Sequence, residues 1–175
     1  MKAITIIQPW ATLIAIGAKH IETRSWSTNY RGPLAIHAGK NKSFITKGSK
    51  NFILDKEPFY TVVHDYNYLQ PAALFPLGIV IAVCNLIDVI KIPNENEMLV
   101  KNIKYKNLIF KTEETILVDV PPNGKFEYHF GDYTPGRYAW ILSNVHILEN
   151  PIPAKGALGM WDFSSPILSK PIYLN

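Results

Sequence analysis

The sequence predicts an α+β protein: a small, closed or half-closed β-barrel with short helices at its ends. Three observations predict it. Several apolar or alternating runs, among them AITII, LAIHA, GIVIAVCNLIDVIKI and YAWILSNVHIL, read as strands. The chain carries 13 prolines, which cut it into pieces too short for long helices. Its clearest helical stretch, QPWATLIAIG, runs for only about two turns and needs tertiary packing to persist.

Taken in order, AITII is a short, fully buried strand. Pro9 suits the first turn of the helix that follows, because its missing N–H is unpaired there in any case. Trp10, Leu13 and Ile14 recur at helical spacing, and Gly17 is a natural stop. HIETRSW then alternates, placing His20, Glu22, Arg24 and Trp26 on one face and Ile21, Thr23 and Ser25 on the other. TNYRGP is a turn. LAIHA is a strand with Leu34, Ile36 and Ala38 inward and His37 on the opposite face, set beside Glu22 and Arg24. SFITKGSKNFILD is expected to form a helix weakened by Gly48. FYTVVHDYNYLQPAALFP reads as part helix and part loop. GIVIAVCNLIDVIKI is β-branched and nearly continuous, as in a strand buried on both faces or spanning a bend. Residues from about 91 to 127 are polar and lysine-rich, an excursion with one short strand at TILVDV. YAWILSNVHIL and GALGMWDF close the set.

The chain has 175 residues, suited to one domain over 1–175 with an inserted segment at about 91–127. Hydrophobic residues at 47% and charged residues at 18% exclude a disordered chain. The only cysteine, Cys84, permits no internal disulfide and fits a reducing cytoplasm; its apolar surroundings suit an inert buried thiol better than a nucleophile. No run reaches the ~18 apolar residues of a membrane helix, and the start is too quickly polar for a signal peptide. The five histidines have no metal-ligand spacing, and no phosphate-binding or hydrolase fingerprint occurs, so neither a metal nor a cofactor is expected. The formal charge is +4, and its distribution says more than its size. Between Thr23 and Leu54 there is no acid, while Arg24, Arg31, Lys40, Lys42, Lys47 and Lys50 all fall there. That window is expected to form a basic rim facing an anionic partner.

GAKHIETRSW gathers Lys19, His20, Glu22, Arg24 and Trp26 into one short stretch. Lysine is a compact cation that positions phosphate or acts as a base. Arginine offers a planar fork to phosphate or to a base edge, and glutamate accepts from an exocyclic amine. Trp10, Trp26 and Trp140 are candidates to stack a base, with a core role the competing reading for each. Glu22 and Arg24 are read either as ligand contacts or as an ion pair bracing the barrel. Arg137, in TPGRY, either meets phosphate or caps a turn; Arg31 and His37 complete the candidate set.

GAKHIETR fits the pattern G-x-K-x-x-E-x-R and resembles the ASCH domain family (activating signal cointegrator homology), a branch of the PUA-like β-barrels. QPWATLIAIG, YRGPLAIHAG, FGDYTPGRYAWIL and PIPAKGALGMWDF are similar to the flanking elements of that family. The resemblance implies a PUA-like β-barrel with a cleft lined by the motif, and binding of RNA or other nucleic acid. Some small members resemble amidohydrolases acting on acylated cytidine, and others ribonucleases. In the amidohydrolase type a threonine stands where this chain has Glu22, with the lysine and arginine kept at Lys19 and Arg24. Three functions therefore stand open. The first is a module binding RNA or single strands through Lys19, Glu22 and Arg24. The second is a hydrolase on a modified nucleoside or RNA, with Lys19 and Glu22 catalytic and Glu22 activating water. The third is a small protein-interaction domain.

Overall fold

A computed structural model describes residues 1–69, 74–92, 108–110, 115–117 and 127–164. Six strands form one sheet in the order β2-β7-β4-β3-β1-β8. These are β1 (Lys2–Ile6), β2 (Ile21–Arg24), β3 (Gly32–Ala38), β4 (Ile79–Lys91), β7 (Tyr138–Pro153) and β8 (Met160–Asp162). β5 (Leu108–Phe110) and β6 (Thr115–Leu117) pair antiparallel with each other, apart from that sheet. The helices are α1 (Trp10–Ala15) and α2 (Phe59–Leu69), and Glu127–Phe130 form a single 3-10 turn. The architecture is the expected α+β, PUA-like half-barrel. Among the described residues, no helix is long and apolar enough to cross a membrane.

β1 and β3 run parallel, with Thr5 opposite His37, while the other ladders of the sheet are antiparallel. The long apolar run does span a bend. Against β7, the register of β4 shifts at Val80/Ala82, Val83/Asn85 and Leu86/Asp88. Such irregularities raise the local twist and let two long strands curl. The curled sheet encloses Ile4, Ile6, Leu34, Ile36, Leu86, Trp140 and Leu142, with Ala11 and Ile14 of α1 packed against them. Cys84 is fully buried there, and burial pushes its thiol pKa up to about 12.

Helix α1 is as short as expected, six residues between the caps Pro9 and Ile16. Gln8 completes its N-terminal end, its side-chain oxygen accepting the Thr12 N–H at 3.0 Å. Gly17 adopts φ +73°, where other residues are strained, and turns the chain back. The amides of Ala18 and Lys19 then both donate to the Leu13 carbonyl. This reversal carries Lys19 into the interior at the entry to β2.

The helix expected over SFITKGSKNFILD is not formed. Residues 43–56 make successive turns held by isolated bonds such as Ile45 N–H to Lys42 O and Ser49 N–H to Thr46 O. Gly48 at φ +86° interrupts any helical propagation. The strand expected at TILVDV is present at Thr115–Leu117; its remainder, and most of the excursion at about 91–127, lie outside the described residues.

Candidate functional site

β8 pairs with β1 only at Lys2, Ala3 and Ile4. Thr5 is therefore beyond that ladder, and its carbonyl is met by a side chain instead: Arg24 Nη2 donates to it at 3.0 Å. One arginine thus ties β2 to β1 across the opening of the curled sheet. A cleft of about 470 Å3 lies at this junction. Thr5, Ile6 and Ile7 line it from one side, and Glu22, Thr23 and Arg24 from the other. Trp10 comes from the start of α1, and His129 to Asp132 with Arg137 complete the wall.

The polar side of this cleft is a chain of alternating charge. Arg24 Nε lies 3.1 Å from Glu22 Oε1, yet it is not aimed at that oxygen and has no hydrogen-bond partner. The contact is therefore Coulombic, and the N–H is left uncommitted. Glu22 Oε2 is 3.9 Å from Lys19 Nζ. The Lys19 ammonium is fully buried, hydrogen-bonded to the Ile21 carbonyl, and 3.7 Å from Glu127 Oε1. Glu127 is itself buried and accepts from the amide of Ile21 at 3.2 Å and from the hydroxyl of Tyr133 at 3.3 Å; its other oxygen accepts the His20 amide. Two cations and two carboxylates are interleaved, which makes burial of four charges tolerable.

The neighbouring wall is built on close approach. A Cβ added to Gly131 would lie 2.5 Å from Tyr133 Cε2 and 3.2 Å from Thr23 Cγ2, so a larger residue would displace the Tyr133 ring and press on β2. The Thr23 hydroxyl accepts the Asp132 N–H at 3.0 Å. Arg137 Nε donates to the Asp132 carbonyl at 3.1 Å and pairs with its carboxylate at 3.2 Å, while Nη2 donates to the Thr23 carbonyl at 3.3 Å. The Thr134 hydroxyl, hydrogen-bonded to Asp132, holds that carboxyl below its ordinary range, with Arg137 assisting.

Of the residues singled out in the sequence, the cleft brings together Trp10, Glu22, Arg24 and Arg137. Trp10 is held edge-on by Phe44 and Phe59, at centroid distances of 5.0 and 5.9 Å. Lys19 stands behind Glu22 and is not on the cleft wall. Trp140 is a core residue, fully buried, and its indole N–H donates to the Trp26 carbonyl; the two rings meet edge to face at 4.7 Å. Trp26 lies beyond the end of β2 and is not on the cleft wall. Arg31 is engaged with Asp88 at 2.8 Å, away from the cleft. The placing of His37 beside Glu22 and Arg24 is also corrected. It is buried under Gly156 and Trp161, with Nε2 3.1 Å from the Ala154 carbonyl and Nδ1 unpartnered. Thr5 lies between: its carbonyl faces Arg24, and its hydroxyl accepts from the Trp161 indole. Thr23, expected on the face away from Glu22, lines the cleft as well, because the wall at Gly131 folds over that side of β2.

The basic rim is narrower than the charge count suggested. Arg24 and Arg31 are in ion pairs, whereas Lys40, Lys42, Lys47 and Lys50 are exposed on the loop whose Phe44 packs against Trp10. Glu127, His129 and Asp132 were not singled out from the sequence. FGDYTPGR marks the neighbourhood of the last two, but nothing local distinguishes Glu127 from a solvated acid.

Comparison with known proteins agrees with this picture. A model of the ASCH domain family matches residues 4–152, most of the chain. No curated protein matches it.

Proposed function

Because the chain belongs to the ASCH domain family, we propose that it binds single-stranded nucleic acid, in the first place RNA, with an unstacked base in the cleft and adjoining phosphates on the lysine loop. The observation that carries this reading is the cleft's two-sided wall. Trp10, Ile6, Ile7 and Phe130 offer an apolar and aromatic surface, while Glu22, Arg24 and Arg137 offer acceptors and donors. A base needs this combination, a surface for its π-face and partners for its edge. Glu22 is the acceptor for an exocyclic amine, and Arg24, whose buried Nε lies 3.1 Å from Glu22 Oε1, holds that carboxylate in place. The charges lining the cleft are balanced by their neighbours, which suits a neutral base better than phosphate. Lys42, Lys47 and Lys50 then serve the backbone.

Fluorescence anisotropy with labelled single-stranded RNA at about 50 and 200 mM salt tests this, since each neutralised phosphate releases counterions. Binding is expected to weaken steeply with salt and to be lost in Glu22→Gln and Trp10→Ala. Absence of binding at low salt, or indifference to salt, overturns the reading.

A second reading is favoured by one observation: Glu22, His129 and Asp132 share the cleft with Thr23. In it, Glu22 activates a water that attacks a modified nucleoside, and Arg24 stabilises the developing oxyanion. No threonine occupies position 22, so no acyl-enzyme forms there. Lys19, enclosed by two carboxylates and a carbonyl, acts only through Glu22. Incubation with acylated cytidine should give turnover lost in Glu22→Gln, with no acyl adduct by mass spectrometry. An adduct on Thr23, with turnover retained in Glu22→Gln, defeats this version.

A further inference from the structure

Glu127 lies outside the cleft and touches nothing in it directly, yet it is one of the most deeply buried acids of the described residues. Burying a carboxylate is costly unless it is paired and hydrogen-bonded. Part of its role is local: it accepts the amides of His20 and Ile21 at the start of β2. An uncharged acceptor would serve those amides. What only a charge provides is balance for Lys19, whose Nζ lies between Glu127 Oε1 at 3.7 Å and Glu22 Oε2 at 3.9 Å.

We infer that Glu127 is a positioning residue that sets base preference: by sharing the Lys19 ammonium, it leaves the Glu22 carboxylate available to an amine-bearing base in the cleft. The inference rests on the reading of Glu22 as a base acceptor. With both carboxylates in place, Lys19 is not within direct hydrogen-bond reach of either, and Glu22 keeps Oε1 toward Arg24. Without the charge of Glu127, Glu22 becomes the only carboxylate near a buried ammonium. Lys19 then closes on Glu22 Oε2, and a base amine must compete with a full positive charge for the same oxygens. Cytosine, whose exocyclic group is a donor, loses its advantage over uracil, whose corresponding group is an acceptor.

The test compares oligo(C) and oligo(U) ribonucleotides on the full chain, alongside crystal structures. The wild type should prefer oligo(C). In Glu127→Gln that preference should fall about tenfold, with affinity for oligo(U) changed less than about twofold, the scale of one lost base-edge contact. Lys19→Met combined with Glu127→Gln removes one charge of each sign and should restore the preference. The crystal structure of Glu127→Gln should show Lys19 Nζ within direct hydrogen-bond distance of Glu22 Oε2 instead of 3.9 Å. Should Glu127→Gln not fold, Glu127→Asp withdraws the charge by one methylene and should give an intermediate loss with the same movement of Lys19.

Equal weakening of both oligonucleotides, or a Glu127→Gln structure in which Lys19 and Glu22 have not moved, overturns the inference and leaves Glu127 a brace. A wild type that binds neither oligonucleotide overturns the functional reading, and with it base preference as the consequence. A wild type that binds both equally overturns the inference while leaving strand binding in place.

Discussion

The buried charges around β2 and the exposed lysines of residues 40–50 lie almost side by side in the sequence, and the fold treats them in opposite ways. Around β2, Lys19 and Arg24 are placed against Glu22 and Glu127 within the barrel opening. On the loop, Lys40, Lys42, Lys47 and Lys50 stand in solvent. The first group is matched charge for charge, whereas the second has no acid in its own segment. A basic window in a sequence is thus two devices, and the number of cations does not tell them apart. Burial and partners do.

The largest test of this division falls on Lys19. Lys19→Met leaves Glu22 and Glu127 facing each other without their shared cation, and removing one member of a buried pair costs about 3–5 kcal/mol. Urea denaturation should show that loss; a change within about 0.5 kcal/mol, as at an ordinary surface site, would place Lys19 with the loop lysines instead. Next comes Arg24, which belongs to the buried group but also faces the cleft. Arg24→Ala should weaken RNA binding by about 1–3 kcal/mol and should also lower the melting temperature, because the tie from β2 to the Thr5 carbonyl is lost. Anisotropy and thermal melts on the same preparation separate the two losses. A sharp fall in melting temperature with unaltered binding by the folded protein would assign Arg24 to bracing alone.

The loop lysines should behave in the reverse manner. Lys42→Gln and Lys47→Gln should leave the melting temperature unchanged and reduce the salt dependence of binding by about 0.7 of a log–log slope unit each, the single-strand value per phosphate. An unchanged slope in the double variant would remove the loop from the interface. The smallest expected effect concerns His37, opposite Thr5 near the end of β3 and just before the lysine loop. Burial lowers its pKa below the ordinary histidine value, with Lys40 adding to the effect. The unfolded chain therefore takes up a proton first as pH falls. The contribution of neutral His37 to stability is full above about pH 6.5 and is lost as pH drops toward its lower folded value. Melting temperatures followed from pH 7.5 to 5 should decline through that window, and His37→Gln should flatten the decline. An unchanged profile in His37→Gln would assign the decline to other groups.

Much of the barrel was legible in advance because strands with one or two buried faces announce themselves through apolar periodicity. GIVIAVCNLIDVIKI and YAWILSNVHIL became the two longest strands, β4 and β7. QPWATLIAIG became a helix ending before a glycine of positive φ. The failure at SFITKGSKNFILD has an equally local cause: Gly48, at positive φ, left the segment to turns, which are held by the packing of Phe44 on Trp10 and of Ile53 on the core. Within the site, Glu22 and Arg24 were visible because strand alternation puts them on one face. Trp140 and His37 were misleading because indole and imidazole look alike in a sequence whether they line a cleft or fill a core.

Local chain chemistry was enough to specify the family motif, the strand-rich architecture and the absence of acids between Thr23 and Leu54. Each depends on residues a few positions apart, where spacing maps directly onto geometry. Which charges are neutralised, which tryptophan meets the cleft, and that Glu127 reaches back to Lys19 were settled by the curling of the sheet. That curl brings β1 against β2 and places a 3-10 turn from late in the chain behind the motif. Contacts of this kind join residues from 19 positions apart, as Thr5 and Arg24, to more than a hundred, as Lys19 and Glu127, and no periodicity encodes them; they exist only once the sheet has curled and the low-dielectric interior makes every unpaired charge expensive.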